Sequence, residues 1–132
     1  MIGSEGLKGK IRNIANSKNL RPQEVLQMFF FERFLERLSK SKYKFNFVIK
    51  GGLFISSMIG IDNRTTMDMD TTIKGVPLKE EVIRNIISEI INVEVDDGIE
   101  FEITDISHIR EEDEYENFRV HLILTLTRLK MI

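Results

Sequence analysis

The chain has 132 residues, 42% hydrophobic and 30% charged, with a net charge of −2 and a pI near 5.8, which is enough apolar material for one globular domain, 1–132, with its own core. It contains no cysteine, so disulfides and thiolate metal sites are excluded and a reducing compartment is expected. No apolar run is long enough to span a bilayer and no basic-then-apolar signal opens the chain, so the expectation is a cytoplasmic location without a membrane partner.

Leu7, Ile11 and Ile14 have helical spacing, although Gly3, Gly6 and Gly9 weaken the start of this first helix. Pro22 is suited to the first position of a second helix running to about Lys40. Its apolar residues, among them Leu26, Phe30, Phe34 and Leu38, cover more than one face and predict a central position. These amino-terminal helices, 5–40, precede a core at 45–132 that opens with a strand over Phe45 to Ile49.

Gly51 and Gly52 follow that strand and predict a sharp turn into a short helix, Leu53 to Met58. Bare Gly backbone can approach a ligand closely, and the free N–H groups of such a helix seat phosphate. Asp68 and Asp70 then lie two apart in a β-favouring stretch, which puts both side chains on one face with Cα atoms about 7 Å apart. Two carboxylates side by side are unfavourable unless a cation joins them, and Mg²⁺ or Mn²⁺ with a substrate phosphate is the economical partner. Lys50 and Arg64 flank the same unit and are placed to neutralise a triphosphate. Ser56, Ser57, His108 and His121 read as structural or surface residues.

A third helix from Leu78 to Ile91 acts as the crossover, followed by an Asp96-Asp97-Gly98 turn, with Val93 and Val95 available as a short hairpin arm. Ile99, Phe101 and Ile103 alternate with polar residues in a third strand. After an acidic connection, Glu111 to Asn117, the last strand turns Phe118, Val120, Leu122 and Leu124 to one side and Arg119, His121 and Thr125 to the other. The order α, α, β, α, β, α, β, β predicts an α/β (α+β) fold, a mixed sheet with helices packed on it.

Lys50-Gly51-Gly52 followed by Arg64-Thr65-Thr66-Met67-Asp68-Met69-Asp70 resembles the nucleotidyltransferases of the AbiEii/AbiGii toxin family, within the DNA polymerase β-like superfamily. The second helix and Phe118-Arg119-Val120 extend the likeness over most of the chain. The resemblance implies a metal-dependent toxin of an abortive-infection or toxin–antitoxin system. Such an enzyme moves a nucleoside monophosphate from an NTP to RNA, with tRNA the foremost candidate, and is paired with a cognate antitoxin encoded nearby. It also implies that Asp68 and Asp70 are catalytic metal ligands and that Lys50, Gly51, Gly52 and Arg64 bind nucleotide. The family's third carboxylate falls later than Ile132, so the expectation is a core incomplete at its carboxy terminus, inactive alone and prone to self-association. Asp105 is the internal candidate for the third ligand. The lysines at 40, 42 and 44 read either as a solvated face or as a hold on RNA. The alternatives are a minimal transferase of antitoxin type acting on a protein, and a non-catalytic nucleotide-binding or oligomerisation module.

Overall fold

A computed structural model describes residues 4–55, 64–76, 79–109 and 117–127. In chain order the elements are α1 (Ser4–Lys18), α2 (Pro22–Lys40), β1 (Phe47–Ile55), β2 (Arg64–Ile73), α3 (Glu80–Ile91), β3 (Ile99–Ile109) and β4 (Asn117–Leu126). The class is α+β, as expected. No helix among the described residues is long and apolar enough to cross a membrane.

Pro22 opens α2, where its missing N–H costs nothing, and the Glu24 carboxylate reaches back 3.4 Å to accept from the Arg21 backbone N–H. Leu26, Phe30, Phe34 and Leu38 repeat every four residues and are all buried, so α2 is the central helix that its apolar arc predicts. On α1 the buried residues are Leu7, Ile11 and Ala15, while Ile14 stays 43% exposed. At about 100° per residue, Leu7 and Ala15 flank Ile11 by roughly 40° on either side and Ile14 lies farther round; the buried arc is centred on Ile11. On α3 the buried set is Ile83, Ile86, Ile87 and Ile90.

The four strands lie in the order β1-β2-β4-β3, and every pairing among the described residues is antiparallel. This differs from the mixed sheet suggested by the element order. The connection through α3 does join two strands of the same direction, β2 and β3, but β4 returns between them and takes both ladders. One face of the sheet carries Met67, Met69, Ile73, Phe101, Ile106, Val120, Leu122 and Leu124, which share a single core with the three helices. The opposite face carries Thr66, Asp68, Asp70, Arg119, His121 and Asp105, all partly or fully exposed.

Two expected elements differ. Leu53 to Ile55 continue β1 instead of beginning a helix, because Gly51 and Gly52 are absorbed as an irregularity between Ile49 and Leu53; Ser56 to Met58 lie outside the described residues. Extra residues in one strand of a ladder are a bulge, and Gly suits a bulge as readily as a turn. Val93 and Val95 form no hairpin arm, since the following Asp97 is drawn to Arg37 of α2 instead.

After β2 the chain turns at Gly75, whose φ of +80° is strained for any residue with a Cβ; a Cβ there would stand 3.3 Å from Asn46 Nδ2. Gly75→Ala is therefore expected to cost about 1–2 kcal/mol. By contrast Gly9→Ala, on α1 with open space around the position, should gain about 0.5–1 kcal/mol. Urea midpoints at unchanged m-value check both, and equal midpoints for Gly75→Ala and wild type would contradict the turn geometry.

Candidate active site

From Arg64 to Asp70 β2 alternates: Thr65, Met67 and Met69 are buried, while Arg64, Thr66, Asp68 and Asp70 face the other way. The two acids therefore share one face of one strand, as their spacing predicts. Ile49 pairs with Thr71 and Leu53 with Met69, so the three residues Lys50, Gly51 and Gly52 stand opposite the single residue Asp70. The Gly pair and the acid pair thus meet across the β1–β2 ladder through a bulge. Arg64 shares the acids' face at the far end of β2, four residues and about 13 Å along the strand from Asp68.

The partners of the acids come from β4. Asp68 pairs in register with His121 and Asp70 with Arg119. Arg119 grips Asp70 with both arms of its guanidinium, Nε donating to Oδ1 at 2.8 Å and Nη2 to Oδ2 at 3.2 Å. His121 Nδ1 lies 2.7 Å from Asp68 Oδ1; an ionised carboxylate only accepts, so Nδ1 is the donor. The other ring nitrogen, Nε2, faces Ser107 Oγ at 3.5 Å. The opposite charge of Arg119 directly across from Asp70 is favourable, and with the hydrogen bond from His121 to Asp68 it accounts for two like charges two residues apart on β2.

Asp105 arrives on this face through a second irregularity. The β3–β4 register shifts between Ile103 and Asp105, and Thr104 Oγ1 donates to the His121 carbonyl at 3.1 Å. After the shift Asp105 stands opposite His121 and Ile106 turns into the core. A cleft of about 350 Å³ follows, lined by Thr66, Asp68, Thr104, Asp105, His121 and Leu122. Asp68 and Asp105 form opposite walls, separated by β4 and hence by about 10 Å between Cα atoms.

As donors for Mg²⁺, Asp68 and Asp70 fit in kind, being hard carboxylate oxygens side by side, and they are the residues that would hold the ion. Among the described residues no three His, Cys, Asp or Glu side chains converge on one point, and Asp105 is separated from the pair by His121. Arg119 and His121 occupy the acids' oxygens, so cation binding has to compete with them.

His121 is therefore not a simple surface residue. A signal for it was present in the sequence: Asp68-Met69-Asp70 and Arg119-Val120-His121 are two i, i+2 pairs, one of carboxylates and one of hydrogen-bond donors, and antiparallel pairing brings such pairs face to face. His108 stacks on Phe118 with ring centroids 4.9 Å apart, and Ser56 and Ser57 lie outside the described residues.

No curated protein and no solved structure matches the chain. Residues 33–131 match a family model described as nucleotidyl transferase AbiEii toxin, Type IV TA system. That span runs from the middle of α2 through the acid pair and β4, and it places the chain in the AbiEii nucleotidyl transferase toxin family of type IV toxin–antitoxin systems.

Proposed function

We propose that the chain transfers a nucleoside monophosphate from an NTP to RNA, tRNA being the first acceptor to test, in a Mg²⁺- or Mn²⁺-dependent reaction. The observation that carries this reading is the meeting of the Asp68–Asp70 face with the Lys50-Gly51-Gly52 bulge across one strand ladder. In the reaction an acceptor hydroxyl oxygen bonds to the α-phosphorus, the bond to the bridging oxygen breaks, and pyrophosphate leaves; the hydroxyl proton passes to solvent or a basic group. A bound divalent ion supplies charge neutralisation on the phosphates and on the attacking and leaving oxygens. Asp68 and Asp70 hold that charge in place, the bulge backbone lies beside the phosphates, and Arg119, once released from Asp70, is a cation available to the triphosphate. Arg64 serves the same purpose from the end of β2. Membership of the family also implies a cognate antitoxin.

The ion pairs favour one further reading, in which Asp68 and Asp70 serve only the sheet and the chain is a non-catalytic module. Incubation with each α-labelled NTP, Mg²⁺ and total tRNA separates the two. Label in RNA that disappears with EDTA is expected, and no label with any NTP would leave the ion pairs as a structural ladder.

A further inference from the structure

Between α2 and β1 the chain reads Lys40-Ser41-Lys42-Tyr43-Lys44-Phe45-Asn46, and the transfer site makes no use of it. Phe45 is 86% exposed, an unusual position for a large aromatic side chain. It is also held firmly. Ser41 caps α2 through its N–H and hydroxyl to the Leu38 carbonyl at 3.0 and 2.8 Å, and its Oγ accepts from the Tyr43 N–H at 3.2 Å. Asn46 N–H donates to the Tyr43 carbonyl at 2.9 Å, and two bonds tie Asn46 to Lys74: the Lys74 N–H donates to the Asn46 carbonyl at 2.7 Å and Asn46 Nδ2 to the Lys74 carbonyl at 2.9 Å. Tyr43 packs against the core, so the turn is preorganised with Phe45 facing water.

Each ring of the turn carries one cation. Lys44 Nζ lies 4.9 Å from the Phe45 centroid and Lys42 Nζ 5.3 Å from that of Tyr43. Lys40 and Lys42 are shared with Glu36 and Glu89 at 3.3 and 3.6 Å, whereas Lys44 and Lys74 have no acidic partner among the described residues. An exposed ring among lysines on a rigid turn is what a single-stranded nucleic acid uses: a base stacks on the ring and its phosphates meet the ammonium groups. A folded protein partner would instead call for a wider apolar patch.

We propose that the Lys42–Phe45 turn is a docking platform for a single-stranded nucleic acid, with one base stacked on Phe45 and the flanking phosphates on Lys44 and Lys74. Lys74 is four residues beyond Asp70 on the chain, about 13 Å along the strand direction, so an acceptor strand seated here lies alongside the acid pair. Only that last step rests on the proposed transfer reaction; the platform stands without it.

The test is fluorescence anisotropy with labelled 12-nucleotide single-stranded RNA, the matching DNA and a duplex, all in EDTA without NTP. Phe45→Ala should weaken single-strand binding roughly 5- to 150-fold, the stacking contribution of one base, and circular dichroism should be unchanged because the side chain is exposed. Lys44→Gln should lower the slope of log affinity against log salt by about 0.7. Because neither metal nor NTP is present, this reading is separate from the transfer assay. Preference for RNA over DNA, or equal binding of the two, identifies the source while supporting the platform. Duplex binding equal to single-strand binding, or Phe45→Ala binding as wild type, overturns it.

Discussion

Asp70→Asn is expected to lower nucleotidyl transfer by 10²–10³-fold or more, the scale seen when one preorganised electrostatic contact to a reacting group is lost. The substitution keeps the side chain's shape and one oxygen acceptor but removes the charge. Asp70 is 18% and Arg119 44% exposed, so the ion pair itself contributes only about 0.2–1 kcal/mol to stability and the variant should fold. Asp68→Asn should have an effect of the same order and should abolish Mn²⁺ binding measured by calorimetry with a triphosphate present. Arg119→Gln separates the two demands on Asp70. With the guanidinium gone, both Asp70 oxygens are free, and Mn²⁺ should bind more tightly while transfer still falls if the arginine also meets the triphosphate. Initial rates of label transfer into tRNA check the first claim. A rate for Asp70→Asn within a few-fold of wild type would remove the acid pair from the chemistry.

How far the residues announced this arrangement depends on the range of the interaction concerned. Helix α2 was legible from Pro22 and the four-residue repeat of Leu26, Phe30, Phe34 and Leu38, because capping and helical burial are local properties. The shared face of Asp68 and Asp70 was legible for the same reason, a strand having a period of two. The route of β1 was not: Gly51 and Gly52 are compatible with a turn or a bulge, and the choice is made by β2, which offers Met67 and Met69 as partners to Ile55 and Leu53. The antiparallel character of the sheet was hidden too, since nothing local to β3 or β4 says that β4 inserts beside β2. Asp105 shows the sharpest version. Alternation from Ile99 through Ile103 would put Asp105 toward the core, and only the Thr104 irregularity, closed by a bond to the His121 carbonyl, turns it to the cleft.

The largest stability effect is expected at the link between α2 and the start of β3. Arg37 is 2% exposed, and its guanidinium donates to both Asp97 oxygens at 2.9 Å and to the Ile99 carbonyl at 2.8 Å while lying 4.6 Å over the Phe101 ring. Burial pushes the Asp97 carboxyl up, but the Arg37 hydrogen bonds, the Ile99 N–H and the charges of Arg37 and Arg33 outweigh it and hold the group below its ordinary value. The unfolded chain therefore binds the proton more readily than the native one, so stability rises with pH across this window. The contribution is complete above the ordinary carboxylate value, about 3.9, and is lost as pH falls through the depressed native value. Asp97→Ala should cost about 3–5 kcal/mol at neutral pH, because it strands a buried guanidinium, and should flatten the acid limb of the stability curve. Urea unfolding between about pH 3 and 7 reads both effects. Arg37→Met combined with Asp97→Ala removes the stranded charge and should recover much of the loss; a double variant as unstable as the sum of the singles would show that packing, and not the buried pair, sets the cost.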